Sequence, residues 1–342
     1  MSKFLLPILY PLSILYGTLI ALRNLFYDLG VFTQSRVDAI VISVGNLSVG
    51  GTGKTPLVLQ LIDLISPFKK NIAVVSRGYG RNSRSPKLYL PFEKIDDWRE
   101  SGDEPFLLKN RVEELTISID SDKFRGAAEA VEKGKSELII LDDGFQHRSI
   151  RRDLDIVLIE EPNEIKNRLL LPAGRLREPL KSLKRADIVV FMGSEADSAG
   201  ILKYLNSTAL LCGGTKEPAM LIKLNSDEEL ELSELNGKKL IAFCAVGNPD
   251  GFRSTLLSFA PSEVELLDFP DHHVYSEGDL TEIKNKFLSS DSDFLITTEK
   301  DALKLPPNVF AEINVYFLTI AFKLTWGKSE FDKTINELVQ PE

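Results

Sequence analysis

The sequence predicts an α/β protein: a mostly parallel sheet flanked by helices, a second, smaller α/β domain, and an apolar helix at the N-terminus. Three observations lead there. Short apolar runs at residues 39–44, 72–75, 115–119, 138–141, 156–159 and 188–191 alternate with helix-like stretches such as 57–65 and 124–133. Strands separated by helices build parallel sheets covered on both faces, and near-continuous apolar strands fit burial on both sides. A Gly213-Gly214 turn followed by Pro218 marks a linker, and strand-like runs resume at 240–246, 294–297 and 315–318. Residues 4–22 carry no charge at all. The domains drawn this way are 1–30, an apolar membrane-associated segment; 31–213, the larger α/β domain; and 214–342, the smaller one.

The chain of 342 residues has room for about two domains at ~150 residues each. A hydrophobic fraction of 43% with 27% charged residues describes a globular body. A net charge of −9 argues against a nucleic-acid coat, because phosphate backbones select basic surfaces. Cys212 and Cys244 stand alone in apolar stretches, with no Cys/His spacing for a metal. They read as buried thiols in a reducing compartment.

The uncharged N-terminal run of 19 residues lies between Lys3 and Arg23. As a straight helix it is about 28 Å long, near the ~30 Å hydrocarbon core of a bilayer. Pro7 and Pro11 disturb its first half, and Tyr10, Tyr16 and Tyr27 suit a headgroup boundary. No small-x-small cleavage site follows. A helix dipped into one leaflet is the first expectation, a full span the second and a buried core helix the third.

After the first strand comes GNLSVGGTGKTP, residues 45–56. Its core, Ser48, Val49, Gly50, Gly51, Thr52, Gly53, Lys54 and Thr55, is a GxxxxGK[ST] loop with serine in the first glycine position. Such a loop turns backbone N–H groups inward around phosphate oxygens. Lys54 can reach the β- and γ-phosphates, the Thr55 hydroxyl can ligate Mg²⁺, and the following helix adds its positive N-terminal dipole. A glycine turn before a helix is the bland alternative, which strand, loop and apolar helix in succession disfavour. The sheet is thus expected to be P-loop NTPase-like.

The apolar run 138–141 leads into Asp142-Asp143-Gly144-Phe145-Gln146-His147. An acid at the C-terminal end of a buried strand beside a phosphate loop is where a Mg²⁺-holding carboxylate sits. Asp142 and Asp143 are therefore metal candidates, although an isolated DDG is more often only a turn. A hydroxyl acceptor also needs a base. Two segments offer one: Gly102-Asp103-Glu104-Pro105, where Asp103 is placed to cap a helix, and Phe269-Pro270-Asp271-His272-His273.

In this order these motifs, together with SRGYGR at 76–81, LPAGRLREP at 171–179, VGNPDGF at 246–252 and TTEKDALKL at 297–305, resemble the tetraacyldisaccharide 4′-kinase family over most of the chain. The resemblance implies an ATP- and Mg²⁺-dependent enzyme that phosphorylates the 4′-hydroxyl of a lipid A disaccharide 1-phosphate. It implies a site at the cytoplasmic face of the bacterial inner membrane, peripheral or monotopic, with the lipid surface and the lipid substrate as partners and no nucleic acid. A monomer is expected. Asp103 is implied as the base, assisted by His272. Arg77, His147 and Arg177 are candidates for holding the substrate's phosphate or sugar, with surface salt bridging as the alternative.

Two other classes compete. A GTPase would carry an [NT]KxD motif, and Thr298-Glu299-Lys300-Asp301 has the wrong spacing. A membrane-anchored scaffold that binds nucleotide without catalysis would not depend on Asp103 or His272.

Overall fold

The computed structural model describes residues 6–49, 53–160, 169–226, 228–306, 309–310 and 313–340. Gly50, Gly51 and Thr52 of the phosphate loop lie outside these residues. The chain divides into two compact units, Met1–Thr215 with Phe322–Glu342, and Lys216–Ala321.

In the first unit, eight strands lie in the order β8-β7-β6-β1-β5-β2-β4-β3. They are β1 (Ile40–Asn46), β2 (Ile72–Ser76), β3 (Lys87–Tyr89), β4 (Thr116–Ile119), β5 (Leu138–Asp142), β6 (Leu154–Ile159), β7 (Ile188–Phe191) and β8 (Leu210–Lys223). All of these pairings are parallel except β3 with β4. Alternation along the strands sends side chains to opposite faces. Ile42, Val44 and Ile140 pack against Leu57, Leu61 and Ile65 of helix α2 (Lys54–Ile65). Val41, Ile139 and Leu141 pack with Ala127 and Ala130, which lie on the helix at Lys123–Gly134. Two helices precede that one after α2, α3 (Trp98–Ser101) and α4 (Asp103–Arg111), so it is α5.

The second unit repeats the principle with β10 (Lys239–Cys244), β11 (Glu263–Asp268), β12 (Phe294–Thr298) and β13 (Val315–Trp326) in the order β11-β10-β12-β13, all parallel. A short β9 (Glu229–Leu230) pairs antiparallel with the end of β8. Its helices are α6 (Pro249–Leu257), α7 (Glu277–Leu288) and α8 (Glu299–Ala302).

Two boundaries differ from the sequence expectation. Gly213 and Gly214 do not form a linker turn; they sit inside β8. A side chain on either would occupy the space filled by the Trp326 and Phe322 rings. The last helix, α9 (Lys328–Val339), belongs to the first unit and not to the second. Its Phe331, Ile335 and Val339, spaced by one turn, enter the same core as α2.

The N-terminal helix α1 (Leu6–Asp28) is inverted in character: its inner edge is polar and its outer face apolar. Ser13 Oγ donates to Leu170 O (2.9 Å) and accepts from Ala173 N (2.8 Å), and the Tyr16 hydroxyl donates to Arg177 O (2.9 Å). Near its C-terminal end, Arg23 (3.2 Å) and Asn24 (2.9 Å) bind the fully buried carboxylate of Glu178, which also takes Arg185 at 3.0 Å. Outward point Leu12, Ile14, Leu15, Leu19, Leu22 and Leu25, all exposed. A buried carboxylate with three donors is stable only while they stay, because an unpaired charge in the interior costs several kcal/mol. Arg185→Ala is therefore expected to lower the urea-unfolding stability by about 3 kcal/mol. An unchanged midpoint would show that Glu178 does not depend on this partner.

Candidate active site

Strands β1 and β5 are parallel neighbours, with Val44 opposite Asp142 in register. The phosphate loop that leaves β1 and the acid pair that ends β5 thus emerge side by side. The close approach is built into the chain: a Cβ on Gly45 would lie 2.6 Å from Phe145 Cβ. Helix α2 begins at Lys54 behind Gly53, whose φ of +61° bends the chain into the helix. The start of the loop is braced from outside. Val49 N donates to Arg175 O (2.9 Å) and Arg177 N to Leu47 O (2.6 Å). Ser48 is buried and forms an isolated antiparallel bridge with Leu176.

The two acids have opposite environments. Asp142 is buried and accepts from Ser76 Oγ at 3.0 Å. Burial pushes its carboxyl above the usual range, against the pull of Lys123 and Lys54. Asp143 stands in the left-handed region at φ +55° and lies 3.3 Å from Lys54 Nζ and 2.6 Å from Arg177 Nη1. Burial raises its carboxyl too, but Lys54 and Arg177 outweigh it and hold it at about 2. Asp143, the other carboxylate expected as a metal candidate, is paired with two cations, while Asp142 is buried beside Ser76.

Mg²⁺ is a hard cation that takes oxygen ligands and usually only one or two carboxylates, its other ligands being water and substrate phosphates. The Asp142 carboxylate and the Thr55 hydroxyl, at the ends of adjacent elements, are such a donor set. No cluster of three or more His, Cys, Asp or Glu side chains occurs among the described residues, and Mg²⁺ does not require one.

Asp103 is not the helix cap the sequence suggested. Gly102 caps α4, and Asp103 is its first helical residue, buried at 7% exposure. Gly102 has φ +90°, and a side chain there would meet Tyr79 O at 2.6 Å, so the GDEP and SRGYG segments are in backbone contact. Asp103 thus follows directly on a residue packed against Gly78 and Tyr79. His147 lies in a polar pocket of about 500 Å³ also lined by Thr33, Ser35, Ser121, Lys123 and Ser149. Burial, then the positive charges of Lys123 and Arg77, hold the His147 imidazole down at about 4.

His272 and His273 belong to the second unit. His273 Nε2 lies 2.9 Å from Asp279 Oδ2, and its ring stacks on Phe269. His272 is exposed, at φ +60°, with Asp271 Oδ1 at 3.9 Å. The two adjacent histidines are therefore unlike: one is fixed in the fold, the other is presented to solvent.

Sequence reasoning missed Ser76 and Lys123. Lys123 is completely buried at the start of α5, donates to Val75 O at 2.7 Å, and is drawn down to about 8 by burial, with Asp142 and Asp143 opposing. A lysine opening a helix after Ser-Asp carries no local signal of burial; only the sheet that covers it does.

A phosphate loop after one central strand and a buried acid after its parallel neighbour define a P-loop phosphotransferase. The sequence profile of the family described as LpxK, tetraacyldisaccharide-1-P 4′-kinase, matches residues 5–340. The chain belongs to this family of kinases. It is 36% identical over 343 residues to the tetraacyldisaccharide 4′-kinase of Syntrophus aciditrophicus, covering 96% of this chain and 91% of that one. To that of Bdellovibrio bacteriovorus it is 37% identical, over 87% of this chain and 88% of the relative. The fold is similar to a crystal structure of LpxK from Aquifex aeolicus in complex with ATP, with a TM-score of 0.79, 33% identity and coverage of 96% and 98%.

The depressed His147 has a consequence for pH. Its folded value of about 4 lies below that of the unfolded chain, so its contribution to stability is complete above about pH 6.5 and is lost as pH falls through the folded value. NMR titration is expected to show His147 protonating near 4. A midpoint near the free-histidine value would contradict the burial described here.

Proposed function

We infer that this chain transfers the γ-phosphate of ATP to the 4′-hydroxyl of tetraacyldisaccharide 1-phosphate, giving lipid IVA and ADP. Family membership supports the reaction, and the observation that carries the assignment of roles is the parallel pairing of β1, whose loop leads to Lys54, with β5, which ends in Asp142. Lys54 and the amides of the loop, including Gly50, Gly51 and Thr52, bind the β- and γ-phosphates. Thr55 and Asp142 are the residues that would hold Mg²⁺, which when bound draws charge from the transferring phosphoryl oxygens. Asp143 orients Lys54 and Arg177 toward that charge.

The 4′-oxygen attacks the γ-phosphorus as the bond to the β–γ bridging oxygen breaks and ADP leaves with the electron pair. The hydroxyl proton passes to Asp103. His272 takes the supporting role that the family resemblance gives it. Arg77, Arg177 and the pocket beside His147 receive the disaccharide headgroup and its phosphate; Thr33 and Ser35 place that pocket directly after the apolar helix.

The outer face of α1 lies in one leaflet of the inner membrane. Its cytoplasmic side is the side with ATP. The hydrogen bonds of Ser13, Tyr16, Arg23 and Asn24 to the 170–178 segment favour a helix lying along the surface over one that crosses it.

The deciding experiment incubates the full chain with Mg²⁺, γ-labelled ATP and tetraacyldisaccharide 1-phosphate in detergent micelles. Label in the lipid fraction, abolished by Lys54→Ala, is the expected result. Label released only as free phosphate would remove the lipid acceptor from the reading. In the same assay Asp103→Ala should lose about 10²–10⁴-fold in kcat, against at most about 1 kcal/mol of stability for a first-turn acid. The reverse pattern would make Asp103 structural. For the helix, Leu15→Ser with Leu19→Ser should weaken flotation with phosphatidylethanolamine–phosphatidylglycerol vesicles by at least about tenfold, since each buried leucine contributes ~1.5–3 kcal/mol. Unchanged flotation would place the contact elsewhere.

A further inference from the structure

One segment has no role so far: TTEKDALKL, residues 297–305, at the end of β12. In the second unit β10 lies between β11 and β12, and the chain leaves β10 to one side and returns on the other. Loops at the carboxyl ends of such strands meet at a switch point. Here they are residues 245–248 after β10, 269–273 after β11, and Thr298 to Asp301 at the end of β12.

Asp301 is fully buried among them. Its Oδ2 accepts from Ala245 N at 3.0 Å and from Thr298 Oγ1 at 2.6 Å. Thr298 in turn caps α8 by accepting from Asp301 N. On its other side, Ala245 accepts from His272 N at 3.1 Å. One peptide residue therefore separates the buried carboxylate from the exposed histidine. His272 needs such support, because φ +60° is a conformation that a non-glycine residue holds only when its surroundings impose it. His273 is tied instead to Asp279 in α7.

We propose that Asp301 is a positioning residue for His272, acting through Ala245 to fix the turn that presents the imidazole. The proposal rests on the role assigned to His272 above. Burial pushes the Asp301 carboxyl above the usual range. What Ala245 and Thr298 require from it is one acceptor oxygen, which an amide also provides.

The test uses the full chain in the micellar phosphotransfer assay, with Asp301→Ala, Asp301→Asn, His272→Ala and the double variant Asp301→Ala/His272→Ala. Asp301→Ala is expected to lower kcat about 10–10²-fold, the effect of misplacing a catalytic group by about 1 Å, with KM for ATP unchanged. Asp301→Asn should recover most of that turnover. In the double variant the loss should stay within about twofold of His272→Ala alone, because both changes remove the same contribution. An Asp301→Ala loss that multiplies fully with that of His272→Ala would make Asp301 a stabiliser only and overturn the proposal. Full activity of Asp301→Ala beside a crippled His272→Ala would overturn it as well. Full activity of His272→Ala would instead remove the role of His272, and the proposal with it. If Asp301→Ala does not fold by circular dichroism, Thr298→Val, which frees the carboxylate to swing away from Ala245, takes its place with the same outcomes.

Discussion

The buried carboxylate of Glu178 holds the catalytic unit to its apolar helix. It gathers Arg23 and Asn24 from α1 and Arg185 from the turn beyond β6, in a position with no exposure to solvent. The strap that carries Glu178 also carries Arg175 and Arg177, whose backbone groups pair with Leu47 and Val49 at the start of the phosphate loop. One short segment thus touches the helix on one side and the nucleotide loop on the other. Removing any partner of Glu178 leaves charge in the interior, which is costly in a way that loss of a surface pair is not. The apolar helix and the start of the phosphate loop are therefore tied to the same short segment.

The acid pair shows how one dipeptide holds two carboxylates in opposite environments. Asp142 and Asp143 are adjacent in sequence, the first buried and the second partly so, and burial alone would raise both carboxyls. Only Asp143 faces two cations at close range, and there the cations win. Asp142, whose hydrogen bond comes from the neutral Ser76 hydroxyl, keeps the desolvated environment. A left-handed turn at Asp143 separates the two directions. One carboxylate is left buried beside a neutral hydroxyl, and the other is paired with Lys54 and Arg177.

Much of this was legible in the sequence wherever the signal was local. The strand, loop and helix around Lys54, the acids after 138–141, and the apolar run at the N-terminus all depend on neighbours within a few residues. What escaped depends on contacts through space. The burial of Lys123 comes from β2, whose Val75 accepts its proton donor 48 residues away. The glycines at 213 and 214 read as a turn, yet they clear room for Trp326 and Phe322 from the far end of the chain. Asp103 read as a cap because Gly102 has no side chain to announce that it occupies that position. Nothing adjacent to His272 and His273 distinguishes them; Asp279 and the Phe269 ring do.

The contacts of α1 also bear on whether the proposed membrane contact is a helix lying on a bilayer or one crossing it. The apolar outer face would be buried by lipid in either case, so that gain does not discriminate. The inner edge does. A crossing helix would have to give up the bonds of Ser13 and Tyr16 to the 170–177 backbone and separate Arg23 from Glu178, which for the buried ion pair alone costs about 3–5 kcal/mol. Arg23 carried toward the bilayer centre would add ~2.5–3.5 kcal/mol. A helix resting in the leaflet would keep every one of these contacts while the exposed Leu15 and Leu19 could still reach acyl chains.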